Sequence, residues 1–102
     1  MTDDEKRAAK IEESILKGLD MLFGEQLEKM DQEKKDKITE AFRNYVLTHY
    51  EKIGCCVVRR YAHECVVFCM VNDLEWQDDA ELIFAPNGNL RYGCGGAMPQ
   101  PV

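Results

Sequence analysis

The chain has 102 residues, with 13 basic against 19 acidic side chains and a net charge of −6. That length holds one hydrophobic core and leaves no room for a second, while a 45% hydrophobic content is that of a folded protein rather than a disordered one. The charge excludes the basic stripe on which nucleic-acid and anionic-membrane binders depend, and no apolar run reaches the ~20 residues of a bilayer span.

The opening residues, Met1-Thr2-Asp3-Asp4-Glu5, are acidic and do not read as a secretory signal. Five cysteines (Cys55, Cys56, Cys65, Cys69 and Cys94) are an odd number. Without such a signal they point to thiols in a reducing cytoplasm rather than to a disulfide framework.

A first helix is expected over residues 3–30. Ala8, Ile11, Ile15, Leu19, Leu22, Phe23, Leu27 and Met30 recur in steps of three and four and form one apolar stripe. Thr2 or Asp3 suits the N-cap, and Asp4 and Glu5 suit the positive end of the helix dipole. Gly24 is expected to bend or break this helix. A second helix is expected over 32–52, capped by Asp31 and ended by Gly54, with Ile38, Ala41, Phe42, Tyr45, Val46, His49 and Ile53 on one face. The short polar link between the two favours an antiparallel hairpin.

The texture then changes to short β-branched and aromatic runs. Residues 55–61 and 65–71 read as strands joined by a turn near Ala62-His63-Glu64, and residues 80–85 as a third strand. Pro86-Asn87-Gly88-Asn89 is a turn signal, with Leu90-Arg91-Tyr92 opening a fourth strand. The run 65–71 is apolar on both of its strand faces, so it is expected at the centre of the sheet. Helices would cover one side; the other needs the chain's own remaining segments or a second molecule, and a homodimer is the economical expectation. Residues 94–102, rich in Gly and Pro, are expected to be a flexible tail. The fold class is therefore α+β, an N-terminal helical hairpin packed on a three- or four-stranded antiparallel β meander. It forms one domain over 1–102, with 3–53 helical, 54–93 sheet and 94–102 tail.

Candidate chemistry is sparse, and neither an enzyme nor a cofactor is expected. His63, Cys65 and Cys69, with Cys55-Cys56 in the neighbouring strand, have ligand-type side chains. No C-x-x-C is present, however, and in a strand Cys65 and Cys69 stand roughly 13 Å apart, too far to share one ion. No metal site is assigned. His63-Glu64 lacks the frame and the P-C-x-x-C partner of a zinc deaminase. Cys94 in Gly93-Cys94-Gly95-Gly96 lacks an orienting third residue and a helix N-terminus to activate it. His49 reads as a core-edge histidine bonded to the backbone. Arg59, Arg60 and Arg91 are expected to pair with Glu64 or Glu81 across strands.

The most specific segment is acidic. Asp73, Glu75, Asp78, Asp79 and Glu81 fall within nine residues, around Trp76, the lone tryptophan of the chain. It lacks the D-x-D-x-D-G frame of a calcium loop. Tryptophan is enriched at interface hot spots, and a rim of carboxylates steers a basic partner. The expectation is a small acidic cytoplasmic protein-binding module, with Asp73, Glu75, Trp76, Asp78 and Asp79 occluding or bridging the basic surface of a larger protein. In size and charge alone it resembles immunity proteins and phage-encoded inhibitors of host defence. The competing expectations are a metal- or redox-responsive module built on His63 and the strand cysteines, and a structural homodimer subunit.

Overall fold

Two long helices fold back on each other. In a computed structural model, which describes residues 2–76, 79–94 and 98–102, they are α1 (Asp3–Glu28) and α2 (Gln32–Ile53). Each begins as its cap residues dictate. Thr2 Oγ1 accepts from Glu5 N at 3.2 Å and Asp31 Oδ1 from Lys34 N at 2.8 Å, removing one orphan donor at each N-terminus. Gly54, at φ +79°, ends α2 with a left-handed cap whose amide donates to Tyr50 O at 2.8 Å. The hairpin closes at its surface through a fork in which Arg43 Nε and Nη2 donate to the Glu12 carboxylate at 2.7–3.0 Å.

Gly24 neither bends nor breaks α1, which runs unbroken to Glu28. Leu22, Phe23 and Leu27 around it pack into the core, and that burial outweighs the ~1 kcal/mol penalty of a helical glycine.

The sheet is a meander in the order β1-β2-β3-β4, all neighbours antiparallel: β1 (Cys56–Arg59), β2 (Glu81–Phe84), β3 (Leu90–Gly93) and β4 (Gln100–Pro101). The register places Cys56 opposite Phe84, Val58 opposite Leu82, and Leu90 opposite Phe84. All five are buried against the helices. The alternate set, Val57, Arg59, Ile83 and Arg91, lies on the other face, where the Arg59–Glu81 pair forms at 3.1 Å. Arg60 pairs instead with Asp79, at 3.6 Å.

Gly18 shows how closely helix and sheet approach. A Cβ there would stand 3.0 Å from Leu82 and 3.2 Å from Phe84. The β2–β3 turn is a three-residue Pro86-Asn87-Gly88 loop in which Gly88, at φ +87°, takes the left-handed position. It docks on α1, where the buried Ser14 hydroxyl donates to Gly88 O at 2.6 Å, while Tyr50 Oη donates to Pro86 O.

The structure corrects two further sequence readings. Residues 65–71 are not a strand but most of a third helix, α3 (His63–Asn72), which intervenes between β1 and β2. A short apolar run cannot be assigned by periodicity, and β-branched composition misleads there. The contacts decide it. Cys65, Phe68, Cys69 and Asn72, the members of α3 that are not exposed, repeat at helical spacing. Phe68 wedges between Phe23 and Phe42, with ring centroids 6.0 and 6.1 Å apart. Asp73, left-handed at φ 55°, caps the helix with its amide on Cys69 O.

The second correction concerns the tail. Gln100 and Pro101 pair with Tyr92 and Arg91 as β4, and Val102 N donates to Leu90 O at 3.1 Å. Strand pairing is made by backbone, so a segment poor in side chains can still join, and proline is tolerated on an edge. Residues 95–97 of the tail lie outside the described residues.

Candidate functional site

The apolar exterior of α3 is the feature that packing leaves unexplained. A helix that is hydrophobic all round is normally buried. Here only one side of α3 faces the core, and Tyr61, Met70 and Val71 are exposed at 78%, 76% and 76%, with Val66 and Val67 at 39% and 42%. On a helical projection Val66, Val67, Met70 and Val71 fill the side opposite Cys65 and Phe68. Apolar residues scattered singly on a surface are ordinary, but a contiguous cluster marks a contact site.

Trp76 stands beside this face. Its indole Nε1 donates to Ala80 O at 2.9 Å, and its ring meets Phe23 edge-on at 5.8 Å. It is thus half-buried rather than presented whole to solvent. The loop that carries it is clamped to α1 by one side-chain amide: Gln26 Nε2 donates to Glu75 O and Gln26 Oε1 accepts from Glu75 N, both at 2.8 Å. Sequence reasoning passed over Gln26, which has no local signal because its partner is 49 residues away.

Trp76 lines two surface concavities. One is an apolar groove of about 420 Å³, lined by Tyr61, Val66, Cys69, Met70, Leu74 and Trp76. Asp73 and Arg60 stand at its rim, and the Arg60 guanidinium lies over the Tyr61 ring at 5.2 Å as well as pairing with Asp79. The other is an acidic cleft of about 560 Å³, lined by Asp20 and Glu25 of α1 and by Glu75, with no Lys or Arg among its described residues. The residues expected from sequence are therefore divided. Asp73 belongs to the groove, Glu75 to the cleft, Trp76 to both, and Asp79 to its pair with Arg60; Asp78 lies outside the described residues. Asp20 and Glu25 were missed because they sit on the charged side of a helix, where carboxylates are ordinary.

No protein-family model, curated protein or solved structure matches this chain. Its function has to be argued from its own chemistry.

The thiols are unbridged, and burial has changed the chemistry of three of them. It pushes Cys56 up to about 12 and raises Cys65 and Cys69 as well. Tyr45, whose hydroxyl accepts from Cys65 Sγ at 3.7 Å, is also raised by desolvation. Neutral buried thiols are poor nucleophiles and poor ligands. Cys65 and Cys69 lie one helical turn apart rather than at strand spacing, yet among the described residues no group of three His, Cys, Asp or Glu could hold a metal ion. His49 Nδ1 donates to Tyr45 O at 2.9 Å, which leaves Nε2 facing Glu64 at 3.5 Å across the α2–α3 contact. Among the described residues no helix is long and apolar enough to cross a membrane.

These thiols set a pH dependence. An unfolded thiol ionises near ~8.5, whereas folded Cys56 holds its proton to about 12. The folded state therefore binds more protons between those values. Stability that is complete below the lower one is lost as pH rises through the upper one. Thermal unfolding should move to lower temperature between pH 8 and pH 11, and less so in Cys56→Ala, each read against its own value at pH 7. Iodoacetamide at pH 8 should leave Cys56 and Cys65 unmodified by mass spectrometry until guanidinium unfolds the protein.

Proposed function

We propose that this chain is a small non-catalytic protein-binding module that works inside the cell by covering part of the basic surface of a larger protein. The observation that carries this reading is the outward apolar face of α3, which the protein's own core does not use. A net charge of −6 favours encounter with a basic partner and sets its salt dependence. The raised pKa values of the buried Cys56 and Cys65 and of the half-buried Cys69 support a binding role over redox or metal chemistry. Five unbridged cysteines are in keeping with a reducing compartment.

The test uses the pair Val67→Asp and Met70→Asp, both at exposed positions, so the fold should survive them. Tagged wild-type and double-variant chains are incubated in lysate from the native host and the bound protein is quantified. The expected result is at least about a tenfold loss of the retained partner in the variant. The circular dichroism spectrum should be unchanged, and wild-type retention should weaken with salt. A partner held equally by both chains at all salt concentrations removes the proposal.

A further inference from the structure

We infer that the groove along α3 and the acidic cleft across Trp76 form one two-part site for a basic amphipathic segment, in which an apolar side chain seats against Val66 and Met70 and a neighbouring Lys or Arg reaches Asp20, Glu25 and Glu75. This rests on the protein-binding reading above and specifies the partner's chemistry.

Three observations carry it. The two concavities share a wall, because Trp76 lines both. Their characters differ: the groove exposes chiefly apolar surface, and the cleft gathers three carboxylates with no lining cation among the described residues. An apolar anchor with a cation beside it is complementary to that pair of surfaces. The wall is also held in place. Gln26 clamps Glu75, and Ala80 O holds the indole N–H, so a ligand meets a site already ordered. Met70 adds an adaptable contact for anchors of different shape.

A second copy of the chain fits the site poorly. Two α3 faces brought together would gather Glu64, Asp73 and Glu75 from both copies, each copy carrying −6. The cation at the rim, Arg60, is already engaged by Asp79 and Tyr61.

The experiment titrates the full chain with two synthetic helical peptides that lack tryptophan. They have the same leucine face, and one carries Lys where the other carries Glu. Emission of Trp76, the one tryptophan of the chain, reads occupancy directly. The Lys peptide should bind at least about tenfold more tightly than the Glu peptide. Val66→Ser with Met70→Ser, which leaves the charge unchanged, should weaken it about tenfold. Asp20→Asn with Glu25→Gln should weaken it similarly, and Glu33→Gln with Asp36→Asn, at exposed positions near the start of α2, should not.

Equal binding of the two peptides overturns the inference. So does an equal loss from the Glu33 and Asp36 changes, which would mean diffuse attraction. A concentration-dependent dimer in sedimentation that Met70→Asp dissociates also overturns it, in favour of a second copy. If neither peptide binds while Val67→Asp with Met70→Asp still releases the host partner, the two-part site falls and the protein-binding reading stands.

Discussion

Phe23→Ala should cost about 3–5 kcal/mol of folding free energy, the range for emptying a buried aromatic site. Phe23 is buried, and its ring faces Phe68 of α3 at 6.0 Å and Trp76 at 5.8 Å. It is the one residue of α1 that supports both the third helix and the indole through ring contacts. Beside it the packing is already imperfect. An apolar void of about 10 Å³, walled by Phe23, Phe42, Tyr45, Cys65, Phe68 and Trp76, lies under α3. It offers too few polar partners to hold a water well. Deleting the ring enlarges that void rather than letting the surroundings collapse, which places the cost toward the upper end of the range. Against a typical domain stability of about 5–15 kcal/mol the loss is severe. Chemical denaturation measures it, and Trp76 emission should shift to longer wavelength before global unfolding, as α3 loosens first. A loss below about 1 kcal/mol would mean that α3 is not held through Phe23.

The second large effect is expected at the β2–β3 turn. Gly54 and Gly88 both have positive φ, at +79° and +87°. A Cβ at Gly54 meets nothing within 4 Å, whereas at Gly88 it stands 3.1 Å from Lys10 Cβ and 3.3 Å from the Arg7 carbonyl oxygen. Gly54→Ala should therefore cost only the left-handed penalty of about 1–2 kcal/mol. Gly88→Ala pays that penalty and must also push the turn off α1, which strains the buried Ser14–Gly88 hydrogen bond of 2.6 Å. Leaving that carbonyl unpaired adds about 1–3 kcal/mol. The difference between the two variants in urea midpoint, at equal m-value, isolates the docking of the turn. Equal midpoints would show that the turn can shift without loss.

Both effects involve partners far apart in the chain, and that separation marks the limit of what could be read from the sequence. The hairpin was legible because its information is local. The three-and-four spacing from Ile11 to Leu27, the Asp31 cap and Gly54 each act within a few residues, and α1 and α2 form where expected, though α1 lacks the break expected at Gly24. So did the Asn87-Gly88 turn and the α+β layering of helices on an antiparallel meander. Around the site the local signals were weaker. Trp76 and its carboxylates stood out by composition, but the indole's half-burial depends on Phe23 and Ala80, and its cleft on Asp20 and Glu25.

What the sequence by itself determined is the pair of long amphipathic helices, their caps, the hairpin turn and the negative charge. Each depends on backbone preference or on neighbours a turn away. Only the tertiary structure decided that residues 63–72 coil rather than extend, and that Gln100 and Pro101 close the sheet. An apolar run of that length satisfies strand and helix alike, so packing chooses between them, and here the helix seats Phe68 between Phe23 and Phe42. That choice turns Val66, Val67, Met70 and Val71 toward solvent and creates the face on which the proposed function rests.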